Sequence, residues 1–358
     1  MTVAGSVEFG LREGRIALIV IAMVSPSRRS EHARRRRRRR LRKRIAIAAG
    51  CVLVVATLVS LIIRPPEFLR AVSLGPTPTP SAAPRPTLSP FPTPVSTPTL
   101  GSVTKVGETL QARIAVSADT GKRNAGQYRV ARRMAQEAKK EPYDAFVIAG
   151  DLVYPNGNSA LTRPSVIDPY APVLKDAKLV PALGNHDIQS GEGMDILRQL
   201  GRDSAWYVEQ VGPVRIIVLD SNRIGNAQQT SWLRRELAEK QPRGTVTFAA
   251  MHHPAYSAGE HGSDKNVQQR WVPLFEQADV PLVLAGHDHD YQRTKELDGI
   301  TYIVSGGGAE SRETGRQEFT AMSASMLHYV DLLVYEDRIE GRAIRDDGGV
   351  IDEFTIDR

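Results

Sequence analysis

Ten residues, Ala145 to Tyr154 (AFVIAGDLVY), join a short apolar run to an acid. The run ends abruptly in Gly150-Asp151, the pattern of a buried strand that delivers a carboxylate at its carboxyl end. A carboxylate desolvated there is costly unless something cationic meets it. Asp151 therefore reads as a metal ligand, although any such Asp taken singly is more often a turn residue or helix cap. Four further runs repeat the design. Ile114 to Ala118 leads into Asp119-Thr120-Gly121, Leu179 to Leu183 into Gly184-Asn185-His186-Asp187, Thr245 to Met251 into His252-His253-Pro254, and Val280 to Ala285 into Gly286-His287-Asp288-His289. Five runs thus deliver Asp, Asn or His where open α/β sheets gather ligands. Mixed nitrogen and oxygen donors suit Zn, Mn or Fe, and the single cysteine, Cys51, excludes both a thiolate site and an intrachain disulfide.

The elements that must hold these residues follow from periodicity. Apolar strands alternate with amphipathic helices from about Val103, which argues for α/β layers. Helices are expected at Tyr128 to Lys140, with Tyr128, Ala131, Met134, Ala135 and Ala138 on one face, at Gln228 to Lys240, and at Val267 to Gln277 capped by Asn266. Further strands are expected at Val214 to Leu219 and Thr301 to Val304. Met326 to Tyr335 and Arg338 to Ile344 form a hairpin around Glu336-Asp337. Ser305 to Gly308 (SGGG) is either a close backbone approach to the site or a plain flexible turn.

In this order ADTG (118 to 121), GDLVY (150 to 154), GNHD (184 to 187), HHPAY (252 to 256) and GHDH (286 to 289) resemble the calcineurin-like metallophosphoesterases, and among them the purple acid phosphatases. The resemblance implies a four-layer αββα sandwich of two mixed β-sheets and a two-cation phosphoesterase. Two cations roughly 3.5–4 Å apart neutralise phosphoryl oxygens and make a nucleophile available near neutral pH, and a carboxylate must bridge them. By that resemblance Asp151 bridges; Asp119, Tyr154 and His289 complete one position, and Asn185, His252 and His287 the other. His186 would contact the phosphate with Asp187 orienting its ring, and His261 or His186 would protonate the leaving oxygen while an activated water attacks phosphorus in line. Tyr154 stands where the family has a phenolate, a hard anionic donor, so iron(III) plus a divalent Zn, Mn or Fe is expected. In His287-x-His289 the two imidazoles share one side of the backbone and Asp288 points away. His253 has no role, and His328 is structural. Two departures from the family are visible: Ala118 replaces the usual leading Gly, and no β-sandwich precedes the catalytic domain. The alternative function is a non-catalytic surface binding module that retains a structural metal.

The amino-terminal third has a different character. Residues 1 to 102 carry 17 Lys/Arg against 4 acids, and residues 103 to 358 carry 30 against 36, so charges of +13 and −6 add to the overall +7. Arg34 to Arg40 form an unbroken run, followed by Leu41, Arg42-Lys43-Arg44 and then 19 uncharged residues, Ile45 to Ile63. That length is near the ~20 residues a transmembrane helix needs, and the basic flank holds its side in the cytoplasm. The expected organisation is a basic cytoplasmic segment at 1–44, a single transmembrane helix at 45–63, a linker at 64–102 and an extracytoplasmic catalytic domain at 103–358. Nine of the 23 prolines lie between Pro76 and Pro98, interleaved with Thr and Ser, which makes this stretch a semi-rigid spacer. A cleaved signal peptide and a nucleic-acid-binding arm are the rival readings of the basic and apolar pair. Expected partners are therefore a small phosphate ester and the membrane, with no nucleic acid.

Overall fold

The structure is a computed structural model that describes residues 109–358. The expected cytoplasmic segment, transmembrane helix and linker all lie outside the described residues. Among the described residues no helix is long and apolar enough to cross a membrane.

Two mixed sheets form the centre. The first contains β1 (Ala112–Ser117), β2 (Ala145–Ile148) and β3 (Lys178–Pro181), all parallel, continued by antiparallel β11 (His328–Val334), β12 (Arg338–Arg345) and β13 (Val350–Asp357) in the order β13-β12-β11-β1-β2-β3. The second contains β4 (Tyr207–Val211), β5 (Val214–Val218), β6 (Val246–Ala250), β7 (Leu282–Ala285), β8 (Tyr291–Thr294), β9 (Thr301–Ser305) and β10 (Thr320–Ala324), ordered β10-β8-β9-β7-β6-β5-β4. Within it β5, β6, β7 and β9 are parallel.

Strand periodicity explains how the sheets meet. Ile114, Val116, Val147 and Val180 of the first sheet share one core with Ile216, Val218, Phe248 and Leu284 of the second. The intervening residues face outward: Ala115, Phe146 and Ile148 pack on one helical layer, Ile217, Ala249 and Val283 on another. The result is the expected helix, sheet, sheet, helix stack. Helices α1 (Ala125–Ala138), α2 (Asp168–Leu174) and α3 (Gly193–Gln199) share the core on the outer face of the first sheet, and α4 (Ala227–Ala238), α5 (Lys265–Arg270) and α6 (Val272–Gln277) cover the second.

Three local expectations change. Helix α1 starts at Ala125, where the Asn124 side chain accepts from Gln127 N, and buries Gln127, Val130, Ala131 and Met134, leaving Tyr128 44% exposed. The Val267 to Gln277 helix breaks at Trp271 into α5 and α6, and its cap is Asp264, which accepts from Asn266 N and Val267 N, not Asn266. The break puts Pro273 in the first turn of α6, where a missing N–H costs nothing. The hairpin around Glu336-Asp337 forms as β11 and β12, and Gly341 in β12 is required because a Cβ there would lie 2.0 Å from the Phe354 ring across the strand.

Candidate metal centre

All five motif loops leave the carboxyl ends of parallel strands, those after β1, β2 and β3 from one sheet and those after β6 and β7 from the other. Backbone bonds knit them: Asp119 N donates to Gly150 O at 3.0 Å, Gly121 N to Asp151 O at 3.2 Å and Gly286 N to His252 O at 3.0 Å. Among the described residues six non-glycine residues hold positive φ, and Asp119 (58°), Asp151 (55°) and His287 (75°) are three of them. Strain of this kind persists where surrounding structure enforces it, and here it concentrates in the candidate ligands. Close approach also demands glycine. A Cβ on Gly150, whose φ is +93°, would lie 2.4 Å from His252 Nδ1, and one on Gly184 2.1 Å from Asp151 Oδ1.

The seven expected ligands meet, and their contacts divide them in two. The Tyr154 hydroxyl lies 2.7 Å from Asp151 Oδ2, 3.1 Å from Asp119 Oδ1 and 3.2 Å from His289 Nε2. His252 Nε2 lies 2.9 Å from Asn185 Oδ1, 3.2 Å from His287 Nδ1 and 3.5 Å from Asp151 Oδ1. Asp151 therefore turns one carboxylate oxygen to each group. Ligand atoms of Asp119, Asp151 and His252, taken from both groups, all lie within 4.8 Å of one another.

The donor chemistry fits a cation. Asp119 and Asp151 are buried, and imidazoles lie in ion-pair range of them, His186 and His252 of Asp151 and His289 of Asp119. His252 Nδ1 faces the Ala149 carbonyl at 2.9 Å, so a neutral His252 carries its proton there. Its Nε2 lone pair then points at the Asn185 and Asp151 oxygens, an arrangement of mutually repelling acceptors that a positive charge between them relieves. Burial acts to raise the Asp119 carboxyl, but the His289 hydrogen bond and neighbouring imidazole charge outweigh it and hold it below the usual range. Burial opposes the His252 proton, yet the charges of Asp151 and Asp119 prevail and raise it. Burial first, then Asp119 and Asp151, push the Tyr154 phenol far above its ordinary value.

Around the seven, His186 and His261 lie beside the donors, and the contact expected between Asp187 and His186 is corrected. The His186 ring stacks on Tyr154 at 4.3 Å between centroids, with Nε2 3.9 Å from Asp151 Oδ2. Its Nδ1 is held by the Pro155 carbonyl, not by Asp187. Asp187 is fully buried and accepts instead from Leu152 N (3.1 Å), Val153 N (2.8 Å) and Gly184 N (2.8 Å), tying the GDLVY loop to the GNHD loop. His261 reaches the site, its ring 4.2 Å from that of His287. Asp288 does point away from the donors, and it has work there: its Oδ1 accepts from His261 N at 2.8 Å and lies 2.9 Å from His261 Nδ1, while its Oδ2 takes the Ser257 hydroxyl. Sequence reasoning missed that role, and the only signal was the carboxylate set between two ligand histidines.

Three other residues were also missed. Ser221 Oγ lies 2.8 Å from His253 Nδ1, and the His253 ring lies 4.6 Å from that of His287. Lys122 sits 4.8 Å above the Tyr154 ring and pairs with Glu310, whose Oε2 is 3.6 Å from His289 Nδ1. The SGGG stretch does approach the site, since a Cβ on Gly306 would lie 2.8 Å from Asp119 Oδ2. His328 is structural, buried between Met326 O and Ser305 Oγ.

Residues 112–291, half of the chain, match the model of the calcineurin-like phosphoesterases. The chain belongs to that family. Among calcineurin-like phosphoesterases it is 31% identical over 178 residues to a probable cyclic nucleotide phosphodiesterase of Rhodococcus erythropolis, covering 45% of this chain and 56% of that protein. It is 25% identical over 213 residues to purple acid phosphatase 7 of Arabidopsis thaliana, covering 51% and 65%. The solved purple acid phosphatase from yellow lupin (Lupinus luteus) seeds superposes with a TM-score of 0.60 at 20% identity over 70% of this chain and 54% of that one, a likeness of fold. The chain spans 28% to 56% of the length of the first curated relatives it resembles. The purple acid phosphatase resemblance seen in the motifs is thus borne out by relatives and fold alike.

Proposed function

We propose that this chain is a membrane-tethered, outward-facing phosphatase that hydrolyses phosphate esters at a two-cation centre. The observation that carries the reading is the division of donors about Asp151, one oxygen toward Asp119, Tyr154 and His289 and the other toward Asn185, His252 and His287. Two cations held there would supply charge neutralisation on phosphoryl oxygens and acidify a water. Tyr154 favours a ferric ion at its own position, because burial and two carboxylates oppose the phenolate and only a strongly charged partner offsets them. Zn, Mn or divalent Fe suits the Asn185, His252 and His287 position.

The remaining residues act on the substrate. His186, braced by Pro155 O and the Tyr154 ring, presents Nε2 beside the bridging carboxylate, placed to donate to a phosphoryl oxygen. His261, with Nδ1 held by Asp288, leaves Nε2 for the departing oxygen. The basic run and the 19 uncharged residues at 45–63 support the anchor, and the proline-rich stretch supports a spacer that stands the domain off the bilayer.

The test combines metal analysis with turnover. The full chain in detergent should hold two metal ions and cleave an aryl phosphate after loading with iron and zinc or manganese. A protein that binds two metals and cleaves neither mono- nor diesters would refute catalysis. Protease digestion of intact cells should remove the catalytic domain if it faces outward, and protection would refute that orientation.

A further inference from the structure

The loop that carries Asn185 and His186 has a second side. Leu183 and Ile188, near its two ends, line a half-open cavity of about 300 Å³ together with Met194, Trp206, Asp220 and Arg223. Another part of the lining connects to the donor cluster through one residue. Asp220 and Arg223 flank Ser221, which bonds His253 against the His287 ring. Between the walls, Asn222 Nδ2 donates to Leu183 O and Gly184 O at 3.2 and 3.3 Å, so the two loops are pinned together at the edge of the metal centre. The cavity therefore adjoins the loop that leads from Leu183 and Gly184 into Asn185 and His186.

The lining suits a particular kind of group. Ile188 is 38% exposed, one of the few large apolar side chains left to solvent, although it follows directly on the polar GNHD motif. Trp206 is half-buried and offers a flat apolar surface beside Met194. Asp220 and Arg223, 3.9 Å apart, put an acceptor and a donor at one wall. The lining is mixed, with Asp203, Ser204, Asp220 and Arg223 beside the apolar side chains, which suits a group that has both a flat face and a polar edge, and the volume lies at the small end of the ~300–1,000 Å³ range of small-molecule pockets. It admits one compact ring system and excludes a folded partner.

We propose that this cavity receives the organic group of the ester, a planar ring-bearing alcohol of nucleoside size, an inference that rests on the phosphatase reading above. Ring contact with Trp206 and Ile188 supplies the affinity, and Asp220 and Arg223 hydrogen-bond to the edge of the ring or its sugar.

Two measurements test it on the full chain. Steady-state kinetics compare adenosine 5′-monophosphate with glycerol 2-phosphate, and calorimetry follows adenosine alone. Trp206→Ala and Ile188→Asp should each raise KM for the nucleotide about tenfold while leaving that for glycerol 2-phosphate within about twofold, the scale on which apolar pockets discriminate. Both should weaken adenosine binding by the same factor. Trp206 packs partly on the core, so Ile188→Asp, at an exposed site, guards against a folding artefact. Equal KM changes for both esters, or no binding of adenosine by the unaltered protein, would overturn the subsite. If neither ester is cleaved and adenosine still binds in an Ile188-dependent way, the cavity stands and the phosphatase reading falls.

Discussion

Asp187→Asn separates two roles for that carboxylate, orienting His186 or tying two loops. Asp187 Oδ2 accepts from Leu152 N and Gly184 N, and Oδ1 from Val153 N. An amide keeps one oxygen. Its better orientation preserves the two bonds at Oδ2 and turns an NH2 toward Val153 N, stranding one buried donor at a cost of about 1–3 kcal/mol. For a domain of this size about 1 kcal/mol moves Tm by roughly 2–4 °C, so the metal-loaded variant at pH 7 should melt roughly 2–12 °C lower. A second signature comes from charge. Burial, then the charge of Asp151, push the Asp187 carboxyl up to about 7 when no cation offsets Asp151. A folded value above the unfolded one near ~3.9 means the native state holds the proton more tightly. That stability is complete below about pH 4 and is lost as pH rises through 7, on the order of 4 kcal/mol in the metal-depleted protein. Asp187→Asn should flatten this slope, and bound cations should flatten it in the unaltered chain. Differential scanning calorimetry across pH 4 to 8, with and without chelator, gives both readouts. An unchanged Tm with turnover lost a hundredfold would refute the loop tie and restore the carboxylate to His186.

The other outcomes follow from the same geometry. Asp151→Asn should abolish activity and lower metal content at both positions, and two metals per chain with near-normal turnover would remove the bridging role. His261→Ala should slow esters with basic leaving groups ~10²–10⁴-fold while sparing activated aryl esters, and Asp288→Asn should show the same pattern more weakly; equal loss for both ester types points to phosphate binding instead. Iron-loaded protein should be violet through the Tyr154 phenolate, and Tyr154→Phe should be colourless yet folded by circular dichroism; a surviving band would mean that Tyr154 is packing. Burial holds His328 neutral, with its value lowered from 6.5 to about 4. Its contribution is therefore complete above about pH 6.5 and lost as pH falls toward 4, roughly 3 kcal/mol that urea denaturation should detect and that His328→Gln should remove.

Much of the molecule was legible because its chemistry is local. A buried strand ending in an acid or imidazole announces itself by composition, and five such endings in order carried the family resemblance that implied the seven residues found together here, while apolar periodicity indicated helices in both layers and the β11–β12 hairpin. Helix phase was legible except at one margin: Ala131, Met134, Ala135 and Ala138 do pack inward, but Gln127 and Val130 complete the buried stripe of α1 and Tyr128 lies outside it. Strands β4, β8, β10 and β13 escaped because polar residues such as those in YQRT and TAMSA hide the alternation that reveals a strand, and three of the four lie at sheet edges.

By itself the sequence determined which residues carry charge and lone pairs and which strand ends deliver them, since both are properties of a few consecutive residues. Only the tertiary structure decided what those groups face. Asp187, Asp288 and Asp151 are each a buried acid in a Gly- or His-containing motif, and no local pattern distinguishes them. One meets three backbone N–H groups from two loops, one meets His261 from a loop 27 residues away, and one meets donors from both sheets. The role of a carboxylate is set by its partners in space, and these come together only when two sheets, distant along the chain, close over one core.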